Sequence, residues 1–418
     1  MATAQSLSHV WPLGTTLNAA GHIEVGGCDL VELAREVGTP AYVVAEVDLR
    51  ARARSFREAF AAQAPDVHLS FATKAFPCTA VLRTLADEGI GADVASGGEL
   101  QIALRAGVEP GLIILHGNAK SERELTEALD AGVGTIVLDN ADELTRLEGL
   151  ADREQAVMIR VAPDVRGDTH DHISTGQADT KFGFSLADAP TAMERIRASE
   201  HLRLRGVHLH IGSQLLELDP FRRAIAAVAK LGPVDAINVG GGLGVAYTPD
   251  QQPPSVADYA AAKVGAIHEH YGTGIEILDE PGRALVATAG VTIYGVQSVK
   301  RNVSTWVAVD GGMSDNLRPM LYGARYEAHL ADRPGGSTRC HVAGKHCESS
   351  DVIARDVLLD DPRAGDIVVT PVTGAYCYAM ANQYNGVPRA PVVFVRDGDA
   401  RVVVRRETYD DLLSRDVL

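Results

Sequence analysis

Lys74 is the residue whose sequence setting best suits covalent chemistry. It follows an alternating apolar run (Val67, Leu69, Phe71) and precedes Pro77, a residue typical of the first position of a helix. The pattern predicts Lys74 at the carboxyl end of a strand. Apolar neighbours with no nearby acid lower the pKa of a lysine and free its amine as a nucleophile. For this lysine alone, a surface position in a strand-to-helix turn is the simpler interpretation, and the groups described next favour the nucleophile.

Four further groups at predicted strand ends could bind a cofactor beside Lys74. Glu280 ends another predicted strand, and a buried carboxylate without a partner costs about 3 kcal/mol or more, so a cation such as a pyridinium nitrogen is expected to face it. The glycine run around Gly242 is weak evidence alone, but at the mouth of a barrel its N–H groups would cradle a phosphate. His210 offers a ring that can lie on an aromatic cofactor, and Ser213 offers a hydroxyl to the same phosphate. With Lys74, these groups predict pyridoxal 5'-phosphate bound as a Schiff base.

The last third of the chain carries a second group of polar motifs. Arg318 presents a planar fork that suits a carboxylate. Cys347 is followed by Glu348 and then Asp351, and acidic neighbours raise the pKa of a thiol and keep it protonated, as a proton donor requires. The alternative for Cys347 is an inert buried thiol.

These residues must be positioned by the elements around them, and the first two thirds of the chain repeat one pattern. A short apolar run ends in a polar or glycine cluster, a helical pattern follows, and the endings recur roughly every 20 residues in the first units. Ser96 with Glu99, Ser121 with Glu124, and Asn140 mark helix starts. The eight run endings are Lys74, Asp93, His116, Asp139, Arg160, His210, Gly241 and Glu280.

Eight alternating units predict an α/β fold with a (β/α)8 TIM-type barrel, in which all eight endings converge on one mouth. His208, two residues before the sixth ending, is interpreted as a packed barrel histidine. The polar segment 166–184 is predicted to be a loop over the mouth. Its Asp168, His170, Asp171 and His172 are consecutive or nearly so in a loop, which makes a poor preformed metal site, and no metal is expected.

The remainder of the chain predicts an all-β C-terminal domain. Strands are expected over 291–301, 306–310, 352–359, 366–372 and 392–395, and Arg396-Asp397-Gly398-Asp399 predicts a hairpin. The segment 22–25 is expected to be a strand that joins this sheet. The predicted domains are a barrel over 36–288 and a β domain over 1–35 plus 289–418.

Composition restricts the function classes. The formal net charge of the 418 residues is -16, which disfavours nucleic-acid binding, and no apolar run of membrane-spanning or signal-peptide length is evident. The five cysteines form no C-x-x-C pair, so neither a disulfide framework nor a zinc site is indicated. A cytoplasmic enzyme is expected.

The motifs resemble those of the pyridoxal-phosphate-dependent diaminopimelate decarboxylases, of the alanine-racemase-like fold. The likeness extends from about residue 21 to the carboxyl end and is greatest to the actinobacterial branch, including the terminal RRETYDDLL. Its motifs occur in family order: FATKAF, DVASGGEL, HGNAKS, HIGSQ, GGGLG, EPGR, DGGMSDNLRPMLY, KHCESSD and GAY.

The resemblance implies a role for each matching residue. Lys74 would form the Schiff base, His210 would stack on the cofactor ring, and Cys347 would donate a proton. The further cofactor-binding residues implied are Ser213, Gly242, Glu280 at the pyridine nitrogen, Pro281, Gly282, Arg283 and Tyr376. The substrate-binding residues implied are Arg283, Arg318, Tyr322, Glu348 and Tyr376. In the family Cys347 and Glu348 reach the active site from the neighbouring subunit, which implies a homodimer.

The resemblance implies decarboxylation of meso-2,6-diaminopimelate to L-lysine and CO2, the last step of lysine biosynthesis. Two alternatives stay open: a decarboxylase of the same fold that acts on ornithine or another carboxylated amino acid, and a non-catalytic relative that binds the cofactor. Glu348 argues against ornithine, because ornithine decarboxylases typically carry Cys-Asp there. The presence of Lys74 and Cys347 argues against a non-catalytic relative.

Overall fold

The computed structural model describes residues 7–165 and 180–417. The chain divides into two compact units. One comprises Met1–Ala51, Val245–Gln252 and Leu285–Leu418, and the other comprises Arg52–Gly244 and Pro253–Ala284. Most of the predicted loop 166–184 lies outside the described residues, and so do the side chains of Asp168, His170, Asp171 and His172. The end of that segment enters the short strand Phe184–Ser185, which pairs with the strand Gln155–Ala162.

The second unit is built on a closed barrel of eight parallel strands. Each strand pairs with the next, and the eighth pairs with the first, which confirms the predicted TIM-type barrel. The strands are Val67–Ala72, Gly91–Val94, Ile113–Leu115, Thr135–Leu138, Gln155–Ala162, Leu202–His208, Ala236–Asn238 and Glu276–Asp279. All eight predicted run endings lie at or within three residues of the carboxyl ends of these strands.

Helices connect successive strands, and polar caps define several of their starts. Ser121 forms a full capping box with Glu124, and Asn140 accepts a hydrogen bond from the Glu143 N–H. Ser96 also caps its helix, but the carboxylate of Glu99 accepts from the N–H of Ala95. The helices between barrel strands are Thr79–Asp87, Gly97–Ala106, Glu122–Ala131, Ala141–Leu150, Ala189–Arg197, Asp219–Val228 and Val256–Tyr271, and Glu46–Ala61 precedes the first strand.

The other unit contains a large β-sheet, as predicted. Its main path runs through Val352–Leu359, Thr338–Ala343, Thr305–Val309, Gly290–Arg301, Ala41–Ala45, Val392–Arg396 and Asp399–Val404, and Ile367–Thr370 and His329–Leu330 branch from it. The core includes Tyr294, Val307, Cys340, Val342 and Ile353. The predicted hairpin is confirmed, with Asp397 and Gly398 both at positive φ between paired Arg396 and Asp399. Thr338–Ala343 is a strand that the sequence interpretation missed.

Two details of this unit differ from expectation. Ile23–Val25 is a strand, but it pairs with Thr16–Leu17 and Cys28–Asp29 in a separate three-stranded sheet. Ala41–Ala45 lies inside the interval 36–288 predicted for the barrel, yet it pairs with strands Gly290–Arg301 and Val392–Arg396. Its five residues are all buried, so its composition does not distinguish a barrel strand from the centre of another sheet. The domain limits 36–288 and 289–418 stay a prediction.

Across the described part of the chain, no helix is both long and apolar enough to cross a membrane.

Candidate active site

Lys74 lies where the sequence predicted it. The strand Val67–Ala72 passes into a single 3-10 turn, Thr73–Ala75, and the side chain of Lys74 is exposed. No acid is near Lys74 in sequence, but the structure brings Asp93 from the end of the next barrel strand into electrostatic contact with it. Burial raises the pKa of Asp93, and its electrostatic interactions with His116 and Lys74 oppose that rise. The lysine therefore has a polar partner in addition to its apolar neighbours.

Glu280 has more protein partners than the sequence suggested. Its Oε1 accepts from His116 Nε2 at 2.7 Å and from Asn238 Nδ2 at 2.6 Å, and its Oε2 lies 3.2 Å from His208 Nε2. Burial alone would raise the pKa of this carboxyl, but His116 and His208 hold it well below its usual range. The buried carboxylate is therefore ionised, and protein donors stabilise it in addition to the expected cation, whose place at the ring nitrogen stays a prediction.

The carboxylate still has capacity for a cofactor. Two carboxylate oxygens offer about four acceptor positions, and three are used. One position remains for a protonated pyridine nitrogen. His208 is buried and neutral, because burial lowers its pKa to about 3. Its Nε2–H therefore donates to Glu280, so this histidine is more than a packed barrel residue.

The glycine turn after the strand Ala236–Asn238 forms a backbone cradle. Gly242 has a φ of +121°, and a Cβ there would lie 2.8 Å from the carbonyl oxygen of Gly212. Within the described residues, the backbone N–H groups of Gly241 and Gly242 have no hydrogen-bond acceptor. Two N–H groups in a tight glycine turn at the end of a barrel strand suit a phosphate.

The neighbouring strand ends add polar groups of the right type. Arg283 Nη2 donates to Ser213 Oγ at 2.9 Å, which joins the segments after the sixth and eighth strands. Asn238 links the glycine turn to Glu280, because its Oδ1 accepts from the Gly240 N–H at 3.0 Å. Burial, with the nearby charge of Lys74, lowers the pKa of His210 well below its ordinary value, so this ring is neutral. These side chains fit pyridoxal phosphate at both its ring nitrogen and its phosphate.

The remaining two residues of the EPGR motif join this site to Lys74. The carbonyl oxygen of Pro281 accepts from the N–H of Ala72 at 3.1 Å, and a Cβ at Gly282 would lie 3.0 Å from the Cβ of Ala72. Because Ala72 is two residues before Lys74, the close approach at Gly282 fixes the lysine turn against the Glu280 segment.

In the β unit, Arg318 is a buried cation. Its Nη1 donates to the hydroxyl of Tyr326, and its guanidinium carbon lies 4.3 Å from the ring centroid of Tyr247. Although burial opposes the charge, Tyr247 and Tyr326 raise the pKa of Arg318 above its ordinary value. Within the described ranges, its Nε has no hydrogen-bond partner and no carboxylate lies within ion-pair distance of the guanidinium. The short helix Arg318–Tyr322 carries Tyr322 at its other end, half-buried.

Cys347 and Glu348 are exposed on this unit. Cys347 is the exposed cysteine among the five, which excludes the inert buried alternative within this chain. Its backbone N–H donates to Asn385 Oδ1 at 3.0 Å. Asp351, predicted to act on the thiol, is instead buried, and it accepts from His346 Nδ1 at 2.8 Å and from the Met313 N–H at 2.7 Å. It therefore holds the turn that presents the cysteine.

Tyr376 lies in strained backbone. It has a φ of +61°, as does Val372 four residues earlier, and this region is unfavourable for side chains with a Cβ, above all β-branched ones. Such outliers cluster at functional sites, where the surrounding structure enforces them. The strain is consistent with a binding role for Tyr376.

Comparisons with known proteins agree with this chemistry. Residues 46–287 match the family described as "Pyridoxal-dependent decarboxylase, pyridoxal binding domain". The chain is thus a pyridoxal-phosphate-dependent decarboxylase, a class of carboxy-lyases. It is 47% identical to the diaminopimelate decarboxylase of Actinosynnema pretiosum subsp. auranticum, over 98% of this chain and 95% of that protein. It is 43% identical to that of Bacillus subtilis, over 96% of each chain.

A solved structure gives the same result. The diaminopimelate decarboxylase of M. jannaschii in complex with L-lysine superposes with a TM-score of 0.91 at 33% identity, covering 97% of this chain and 98% of that one. The chain belongs to the diaminopimelate decarboxylase family.

Proposed function

We propose that this enzyme decarboxylates meso-2,6-diaminopimelate to L-lysine and CO2. The observation that carries the proposal is the near full-length likeness to proteins named diaminopimelate decarboxylase, one of which is 47% identical to this chain. The buried Arg318, a guanidinium that no described carboxylate pairs with, supports a substrate with a carboxylate.

In the proposed reaction, some residues bind the cofactor, others bind the substrate, and Arg283 and Tyr376 contribute to both. Lys74 supplies the amine that holds pyridoxal phosphate, and Ser213, Gly242 and Arg283 bind its phosphate. Glu280 keeps a proton at the ring nitrogen, and His210 packs on the ring. When bound, the cofactor supplies an electron sink for the pair left behind as CO2 departs.

The proton that replaces CO2 must come from the protein. The carbon–carboxylate bond at the D centre breaks, CO2 leaves, and the Cys347 thiol gives its proton to that carbon, after which solvent reprotonates the thiolate. The substrate is bound by Arg283, Arg318, Tyr322, Glu348 and Tyr376. A site built to hydrogen-bond the second carboxylate is expected to reject a substrate that lacks it by on the order of 10^4.

A homodimer with a shared active site is part of this proposal. Cys347 and Glu348 are exposed on the chain, as residues that serve a neighbouring subunit would be. The predicted cytoplasmic location also belongs to the proposal.

The shared site can be tested by mixing two inactive variants. Lys74→Ala and Cys347→Ala homodimers are each expected to be inactive. After subunit exchange at equal amounts, mixed dimers carry one intact site of two, so about a quarter of wild-type activity should return. No recovery in a mixture shown to contain mixed dimers would refute the shared site.

A further inference from the structure

Lys263 is a fully buried lysine directly beneath the glycine turn. It lies on the helix Val256–Tyr271, and its side chain has no exposed surface. Its Nζ donates to the carbonyl oxygen of Gly240 at 2.8 Å and lies 3.3 Å and 3.5 Å from those of Val239 and Gly241. One ammonium group thus contacts three consecutive carbonyls of the turn.

These carbonyl contacts also determine the direction of the N–H groups on the opposite side of the turn. In a trans peptide the C=O of one residue and the N–H of the next point in opposite directions. Because Lys263 draws the carbonyls of Gly240 and Gly241 toward itself, the N–H groups of Gly241 and Gly242 are directed away from it. These are the two N–H groups that have no acceptor among the described residues.

The ammonium is itself held from several sides. Asp279 Oδ2 accepts from it at 2.6 Å, the hydroxyl of Tyr259 also contacts it, and the ring centroid of Phe221 lies 4.7 Å away. Phe221 also fixes the turn from the side, because a Cβ on Gly242 would lie 3.2 Å from its ring. Burial lowers the pKa of Lys263 and raises that of Asp279, and their mutual attraction opposes both shifts.

Packing alone does not require this arrangement. Burying an ion pair is costly, and an apolar pair of similar volume is often as stable or more stable. An ammonium that binds three carbonyls of one turn does what an apolar side chain cannot: it fixes the orientation of those peptides.

We propose that Lys263 is a positioning residue that orients the glycine turn so that the N–H groups of Gly241 and Gly242 point at the cofactor phosphate. The inference rests on the proposed binding of that phosphate by this turn. Lys263 itself does not touch the cofactor, and Asp279 and Tyr259 hold its ammonium in place.

The test compares two ligands that differ only in the phosphate. Apoenzyme is titrated with pyridoxal phosphate and with pyridoxal, and each dissociation constant is obtained from the absorbance of the lysine-bound ligand. The variant is Lys263→Met with Asp279→Asn, so that no unpaired buried carboxylate is left. The matched control is Lys120→Met with Glu143→Gln. Lys120 is also buried, pairs with Glu143 at 2.9 Å, and donates to the carbonyl oxygens of Gly117 and Val137 at 2.7 Å each.

We expect the Lys263 double variant to bind pyridoxal phosphate about tenfold to a hundredfold more weakly and pyridoxal within about twofold of wild type. The control is expected to leave the ratio of the two constants unchanged. Equal weakening of both ligands, or no weakening of either, would overturn the inference. If wild type itself shows no preference for the phosphorylated ligand, the proposed phosphate site fails as a whole.

A second measurement needs no substitution. Wild-type apoenzyme labelled with 15N-glycine is titrated with inorganic phosphate, and the amide resonances of Gly241 and Gly242 are followed, with Gly272 at the end of the helix Val256–Tyr271 as the internal control. We expect both turn amides to shift downfield and Gly272 to stay unchanged. Unshifted turn amides at saturating phosphate would contradict the assigned orientation.

Discussion

Replacing Glu280 by glutamine tests whether its charge, and not only its shape, drives the reaction. The side chain keeps its volume, and its carbonyl oxygen can still accept from His116 and Asn238. Its new NH2 group would face His208 Nε2, 3.2 Å from the present Oε2. His208 can then move its proton to Nδ1, which has no hydrogen-bond partner among the described residues, and accept at Nε2. We therefore expect the variant to fold.

The expected loss is catalytic. A hydrogen bond to a charged group contributes about 1.5–3 kcal/mol, and this carboxylate is expected to keep the cofactor's ring nitrogen protonated, so kcat should fall by about 10- to 150-fold. The assay is release of CO2 from meso-diaminopimelate at saturating substrate. The protonation of the ring nitrogen is read independently from the 15N chemical shift of labelled cofactor, which should move toward that of a neutral pyridine.

Glu276→Gln is the matched control. Glu276 begins the same strand that Glu280 follows, and its carboxylate binds His68 and Arg205, which hold its pKa at about 2. This variant loses the same charge at the opposite end of the strand, so it is expected to lose some stability and to keep kcat within about twofold. Wild-type kcat in Glu280→Gln, or an equal loss of kcat in both variants, would show that the charge of Glu280 does not drive the reaction.

Three further predictions concern the remaining parts of the site. Gly242→Ala places a Cβ 2.8 Å from the Gly212 carbonyl oxygen at a φ of +121°. The purified variant should therefore lose cofactor on dialysis, measured by absorbance, while its circular dichroism spectrum is retained. Full retention of the cofactor would contradict phosphate binding by this turn. Burial lowers the pKa of His208 to about 3 in the folded protein, whereas a histidine in the unfolded chain has a pKa near 6.5. Between these two pH values the unfolded chain binds more protons, so the free energy of unfolding falls as the pH falls from 6.5 towards 3. In urea unfolding, the free energy of unfolding of wild type should therefore fall by about 1.6 kcal/mol more than that of His208→Gln between pH 6.5 and 5. Parallel losses in the two proteins would show that His208 does not titrate in this way. Arg318→Lys removes the planar fork, so KM for meso-diaminopimelate should rise about tenfold or more with a smaller change in kcat, and an unchanged KM would exclude the arginine as a carboxylate ligand.

Much of the barrel could be predicted from the sequence because its signals are local. Each strand ends in a polar or glycine cluster and several helices start at a polar cap, so Lys74 and Glu280 could be placed at strand ends from their immediate neighbours. The strand Thr338–Ala343 was missed, although Cys340 and Val342 alternate with polar residues as in a half-buried strand.

The partners of the site residues could not be predicted in the same way. His116 and Asn238 contact Glu280 across sequence separations of 164 and 42 residues, and only closure of the barrel brings them together. His116 was recognised as a strand ending, but nothing local indicated its partner. Lys263 lies in the middle of an alanine-rich helix, where one lysine is the usual mark of an exposed face, and only the structure shows that it is buried.

The proposed function is tested by comparing substrates on one purified sample with its cofactor bound. CO2 and amine products are measured with meso-diaminopimelate, L-lysine and L-ornithine at equal concentrations. We predict L-lysine and CO2 in equal amounts from meso-diaminopimelate, and turnover of the other two lower by on the order of 10^4 in kcat/KM. Turnover of L-ornithine or L-lysine as fast as that of meso-diaminopimelate would contradict the proposed function and leave only the decarboxylase class.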